Sequence, residues 1–181
     1  MEKKSYTIAV FTENHIGLLN KITIVFTRRK INIESLTVSE SQVEGIHSFT
    51  IVVNSTLEIV QKVVRQIDKL VEVIKAFSYE EDQIISQEVA LYKVPISAIA
   101  QGINVDQFLV ENKARLLEMD KEFFVIEKTG TTLETQELLE KLKLFGILEF
   151  VRSGRVIVTK PMKPLTQYMN EKHEAHTFVK P

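Results

Sequence analysis

The sequence contains no cysteine. That absence excludes a disulfide framework, a thiolate metal site and a cysteine nucleophile, and it suits a reducing compartment. Long hydrophobic runs are also lacking: nothing approaches the roughly 18 consecutive apolar residues of a membrane-spanning helix. The opening Met-Glu-Lys-Lys-Ser-Tyr has no apolar run of the secretory kind, so no membrane association and a cytoplasmic location are expected. Nor is there an excess of charge of one sign. The chain has 23 Lys and Arg against 24 Asp and Glu, a formal net charge of -1, which argues against a nucleic-acid partner. What remains is ordinary: 181 residues, 44% hydrophobic and 26% charged, enough for one or two small globular domains.

Two similar halves emerge when the apolar periods are marked. Tyr6, Ile8 and Val10 alternate as in a strand, and the loop Thr12 to Gly17 follows. Leu18, Leu19, Ile22, Val25 and Phe26 then fall at helical spacing. Strands are expected through Ile33, Leu36 and Val38, and through Phe49, Ile51 and Val53, with a turn at Glu44-Gly45. Asn54-Ser55-Thr56 offers helix caps ahead of the stripe Leu57, Val60, Val63, Val64 and Ile67, and a strand near Val71 to Phe77 closes the half. The order is β-α-β-β-α-β, and connection rules make a ferredoxin-like sandwich the natural fold. Its open sheet face, with Thr7, Ala9 and Phe11, calls for dimerisation or sheet pairing.

The second half repeats the order. A strand at Val89 to Lys93 precedes a helix over Val105 to Asn112, strands at Ala114 to Met119 and Phe123 to Glu127, a helix capped by Thr131 or Thr132, and a strand over Leu148 to Val158. The fold class expected is therefore α+β, two βαββαβ domains. The first spans residues 1–79, with a linker at 80–86. The second spans 87–160, and 161–181 is expected to be a disordered tail.

Glu13-Asn14-His15-Ile16-Gly17-Leu18-Leu19 and Asn32-Ile33 carry the chemistry. The first amides of a helix lack internal partners and suit a carboxylate. Gly17 admits a ligand close to the backbone, Asn14 and Asn32 offer neutral donors and acceptors, and the side-chain carbonyl of Asn32 can accept from an ammonium. Together they read as a site for a free α-amino acid, against the plainer alternative that Asn14 caps the helix and Gly17 relieves crowding. Of the four histidines, His173 and His176 have H-x-x-H spacing but no third ligand, so no metal site is expected. Glu134, Glu137 and Glu140 read as a solvated helix face, and no nucleophile elbow or phosphate loop is present, so the chain reads as non-catalytic.

The stretches ENHIGLLNKI and NIESLTV closely resemble the opening of acetolactate synthase small subunits, which begin with an ACT domain. VALYKV and ILEFVRSGRV resemble the start and the closing strand of that family's second domain. Two departures stand out: Gln87-Glu88 replaces a basic residue ahead of the second-domain strand, and Ala98 to Met119 matches poorly. The resemblance implies a regulatory subunit in branched-chain amino acid biosynthesis. It would activate a catalytic large subunit and make it sensitive to valine. It also implies a homodimer joined through ACT domains, the effector lying between them. Asn14, Gly17 and Leu18, with Ile16 and His15 beside them, would hold valine from one chain, and Asn32 and Ile33 from the other. Thiamine diphosphate, FAD and magnesium would belong to the catalytic partner, with no cofactor in this chain. The alternative is a free-standing tandem-ACT sensor acting on another enzyme or on transcription.

Overall fold

The computed structural model describes residues 2–160 and 165–177. These form two compact units, one built from the described residues up to Ile85 together with those from Ile157 on, the other from Ser86–Val156.

In the first unit the alternating stretch Lys4–Glu13 is strand β1. It is followed by α1 (Leu18–Arg28), β2 (Ile33–Glu40), β3 (Ile46–Ser55), α2 (Leu57–Ile67) and β4 (Val73–Tyr79). All neighbouring strands are antiparallel, in the order β2-β3-β1-β4. Because side chains alternate across a strand, Tyr6, Ile8 and Val10 point one way and meet the helical stripes of α1 and α2. Leu18, Ile22, Val25, Phe26, Val60, Val63 and Ile67 are buried there against Phe49, Ile51 and Val53 of β3. Thr56 stands at the N-cap of α2 as expected, though its side chain makes no capping bond.

The opposite sheet face is not left open. The tail expected to be disordered carries a helix, Leu165–Thr177; residues 161–164 and 178–181 lie outside the described residues. Leu165 is buried against Ile46 and Ile74, and Phe11, Val43, Tyr168 and Met169 pack around them. The Tyr168 ring lies edge-on to Phe77, with centroids 5.2 Å apart. Leu165, Tyr168 and Met169 fall at i, i+3 and i+4, so the helix has a narrow apolar stripe that only docking can stabilise. The chain's own helix thus covers part of the face for which the sequence reading invoked a partner.

In the second unit β5 (Ile84–Pro95) is followed by two short helices, α3 (Ser97–Ala100) and α4 (Val105–Asn112). Then come β6 (Arg115–Met119), β7 (Phe123–Gly130), α5 (Thr132–Lys143), β8 (Glu149–Arg152) and β9 (Val156–Thr159), and the tail helix becomes α6. The sheet order is β6-β7-β5-β8, with β9 also pairing β5. Up to β8 this is the same permutation of strands as in the first unit. Ala90, Tyr92 and Val94 face Phe124, Ile126, Leu138 and Leu142 in a second core. Thr131 caps α5 and forms a reciprocal pair with Glu134, which accounts for one of the acids read as merely solvated. The Thr131 backbone amide and hydroxyl, both donating to the Glu134 carboxylate, hold it below the ordinary range.

Two elements differ from expectation. The single strand foreseen over Leu148 to Val158 is broken at Ser153-Gly154-Arg155 into β8 and β9. The linker foreseen at 80–86 is shorter: a 3-10 turn occupies Glu81–Gln83, and β5 starts at once with Ile84.

Candidate functional site

β1 ends at Glu13 and α1 begins at Leu18, so four residues make the turn between them. Gly17 is the N-cap of α1 and adopts φ 84°, ψ -2°. A Cβ built there would meet nothing within 4 Å. Glycine is therefore required for its left-handed backbone, and crowding plays no part. No side chain caps the helix, and its first turn carries no acid. Asn14 is thus not the cap that the plainer reading made it. The Leu18 amide donates to the His15 carbonyl at 3.3 Å, and Lys21 makes the first bond back to Gly17 at 3.2 Å. The amides of Leu19 and Asn20, lying before that bond, leave the start of α1 with donor groups and the positive end of the helix dipole.

The loop is fastened from both sides. Glu13 donates its amide to the Glu72 carbonyl at 3.0 Å, and Asn14 donates to the Gly45 carbonyl at 3.1 Å. Lys21 forms an ion pair with Glu72. The Lys21 ammonium, with a backbone hydrogen bond and more distant His15, holds the Glu72 carboxyl below its ordinary range. His15 Nε2 lies 3.0 Å from Glu13 Oε2. Ile16 is fully exposed, and the exposed Asn14 side chain has no hydrogen-bond partner among the described residues. Leu18, expected to line the site, instead turns into the core of its own unit with 2% exposure. Sequence reasoning passed over Gly45 and Glu72 as supports of the loop, because they lie in turns distant in sequence, ahead of β3 and β4.

Asn32 and Ile33 lie elsewhere in the same chain. Asn32 is exposed, its side chain donating to Glu34 at 3.4 Å, and Ile33 is half-buried against the first core. The register places them: Ile33 pairs with Val53, as Tyr6 does, whereas Glu13 pairs with Ile46. The seven residue steps from Ile46 to Val53 span about 23 Å of strand. The Gly17 loop and the Asn32 end therefore sit at opposite ends of one sheet, and no single chain brings them together. β2 is the edge strand beyond β3, so its outer side has no strand neighbour among the described residues.

Among the described residues no cluster of three or more His, Asp or Glu could hold a metal ion. The side chains of His173 and His176 lie outside the described residues. No helix among the described residues is long and apolar enough to cross a membrane.

Two family models cover most of the chain. Residues 8–75 match the ACT domain of the AHAS small subunit, and residues 87–161 match the small subunit of acetolactate synthase. The acetolactate synthase small subunit of Mycolicibacterium smegmatis is 33% identical over 156 residues, which is 86% of this chain and 91% of the relative. The chain belongs to the acetolactate synthase small-subunit family. A probable small subunit from Archaeoglobus fulgidus is 32% identical over 87% of this chain and 98% of its own length. The crystal structure of the small subunit from Thermotoga maritima shares the fold, with a TM-score of 0.79, 24% identity, and coverage of 88% and 99%. Within the family, this member's α6 lies beyond the segment that the second model matches.

Proposed function

We propose that this protein is the non-catalytic regulatory partner of an acetolactate synthase large subunit, which it activates and renders sensitive to feedback inhibition by valine. Family membership supports the partnership. The observation that carries the sensing role is the uncapped start of α1 beside a left-handed glycine, with Asn14 unpartnered next to it. In this reading the valine carboxylate takes the amides of Leu19 and Asn20. The ammonium goes to the side-chain oxygen of Asn14 and to Asn32 of a second copy. Ile16 and the second copy's Ile33 flank the isopropyl group. Two copies are needed because about 23 Å separates the two residue groups along one sheet. Side-by-side antiparallel pairing of two β2 edges carries the Asn32 end of one copy toward the Gly17 end of the other. One methylene in such a pocket changes binding by only about 1–3 kcal/mol, so leucine and isoleucine compete.

Inhibition requires tighter valine binding in the inhibited arrangement, and a coupling of about 1–3 kcal/mol is enough for useful feedback. Calorimetric titration with valine, leucine, isoleucine and glycine tests the binding step, and assays of the synthase reconstituted with its large subunit test the coupling. Saturable valine binding is expected, lost together with valine inhibition in Gly17→Asp. Unchanged inhibition in that variant refutes the site.

A further inference from the structure

A second place in the chain has the chemistry of an amino-acid site, and it lies wholly in the Ser86–Val156 unit. The loop after α3, the outer side of α4 and the last turn of α5 border an open surface cleft of about 410 Å³, at which Glu111 and Lys141 are exposed. That is within the range of small-ligand pockets, about 300–1,000 Å³. Ile103, Phe108, Leu144 and Phe145 give it an apolar lining, and Glu111 and Lys141 line it too. Leu144 is exposed at the rim, so its side chain is accessible to a molecule in the cleft.

The two charges are held apart. Lys141 Nζ donates to Asn112 Oδ1 at 2.7 Å. Asn112 is itself buried, its side-chain amide donating to the Phe108 carbonyl at 2.8 Å and its own carbonyl accepting from Lys128 Nζ at 2.6 Å. Glu111 accepts from Gln107, one turn back on α4, at 2.7 Å. Each charged group thus has a neutral partner, and neither forms an ion pair among the described residues. An ammonium has three donors and a carboxylate two oxygens, so both retain capacity for a ligand. A cation and an anion in one cleft that do not neutralise each other, with an apolar wall beside them, match a molecule carrying both charges and an aliphatic group.

We propose that this cleft binds a zwitterionic α-amino acid with an aliphatic side chain, its carboxylate on Lys141, its ammonium on Glu111, and its side chain against Ile103 and Leu144.

The test uses the full chain carrying Gly17→Asp, which removes the site at α1, titrated with leucine while methyl signals are followed by NMR. Saturable shifts are expected at Ile103 and Leu144. Lys141→Met and Glu111→Gln should each raise Kd by about tenfold or more, the loss of a charge-assisted contact. Because Lys141→Met also disturbs Asn112, the ligand supplies an independent control that leaves the fold untouched. N-acetylleucine lacks the ammonium and leucinamide lacks the carboxylate, and both should bind markedly more weakly than leucine. No saturable binding to the Gly17→Asp chain overturns the proposal, and wild-type binding lost on that substitution assigns leucine to the first site alone. Equal binding of leucine and its two derivatives overturns it as well, by reducing the cleft to an apolar surface.

Discussion

Gln87-Glu88 stands where the family resemblance has a basic residue, and the structure explains how the acid Glu88 is held. Its side chain is 7% exposed, with Arg155 Nε at 3.4 Å from one oxygen and Arg152 Nε at 3.3 Å from the other. The Thr132 hydroxyl donates to the first oxygen at 2.6 Å, while the second makes no well-formed hydrogen bond. One carboxylate therefore ties β5 to the start of α5 and to the break between β8 and β9. The two arginines belong to the VRSGR run that carries part of the resemblance. Removing the carboxylate takes one anion from two guanidinium groups that are 28% and 11% exposed, and breaking a buried pair costs about 3–5 kcal/mol. Glu88→Ala should destabilise the Ser86–Val156 unit by that amount, and Glu88→Gln by less, since it can still accept from Thr132. Hydrogen exchange of the β5 and β7 amides measures it, and unchanged protection in Glu88→Ala would mean the cluster contributes nothing.

At the scale of elements, α6 poses the sharpest energetic question. Leu165 is 2% exposed, and burying a leucine contributes about 1.5–3 kcal/mol. Leu165→Ala in a rigid core would cost about 2–5 kcal/mol. A terminal helix can instead detach, so the loss is capped at its docking energy. The expected result is faster exchange in α6 and along β4, with a much smaller effect on β1 and β3. Uniform loss across the whole unit would mean that the helix is an integral part of that core. The same helix shows what the sequence made legible. Long periodic stretches such as α1, α2 and Val105–Asn112 were readable because each carries its own apolar face. α6 was not, because Leu165, Tyr168 and Met169 form a stripe too thin to stand without Ile46 and Ile74 beneath it. The four residues of α3 are too few to show a period, and the alternation through Leu148 to Val158 conceals the kink at Ser153-Gly154. The Gly17 loop was legible because its chemistry is local. Its distance from Asn32 was not, since that follows from pairing between strands.

For the molecule as a whole, alkali acts on both units through tyrosines, half-buried Tyr79 in one and buried Tyr92 in the other. Burial, helped by neighbouring Tyr168, pushes Tyr79 up to about 12. Burial also pushes Tyr92 up to about 12, against the opposing pull of Arg152, and its hydroxyl donates to the Thr135 carbonyl at 2.6 Å. An unfolded tyrosine titrates near 10, so above that pH the unfolded chain loses its proton first. The stability these groups contribute is complete below about pH 10 and is lost as pH rises to about 12. Denaturation midpoints should fall across that window, less steeply in Tyr92→Phe, and a flat profile would contradict the burial of both rings.

The arrangement of copies gives the most demanding test. If Gly17 of one copy and Asn32 of another complete each valine site, a two-fold dimer holds two such sites. Gly17→Asp and Asn32→Ala homodimers should then both fail to bind valine. In a mixture that exchanges subunits, each mixed dimer has one site with both defects and one with neither. With random exchange half the dimers are mixed, so about a quarter of wild-type sites should return. Calorimetry of the two variants before and after exchange reads this directly. Partial recovery is possible only if the site spans two chains, because a site within one chain would stay broken in every combination. The register of β1, β2 and β3 predicts recovery, since it keeps the two residue groups at opposite ends of every single sheet.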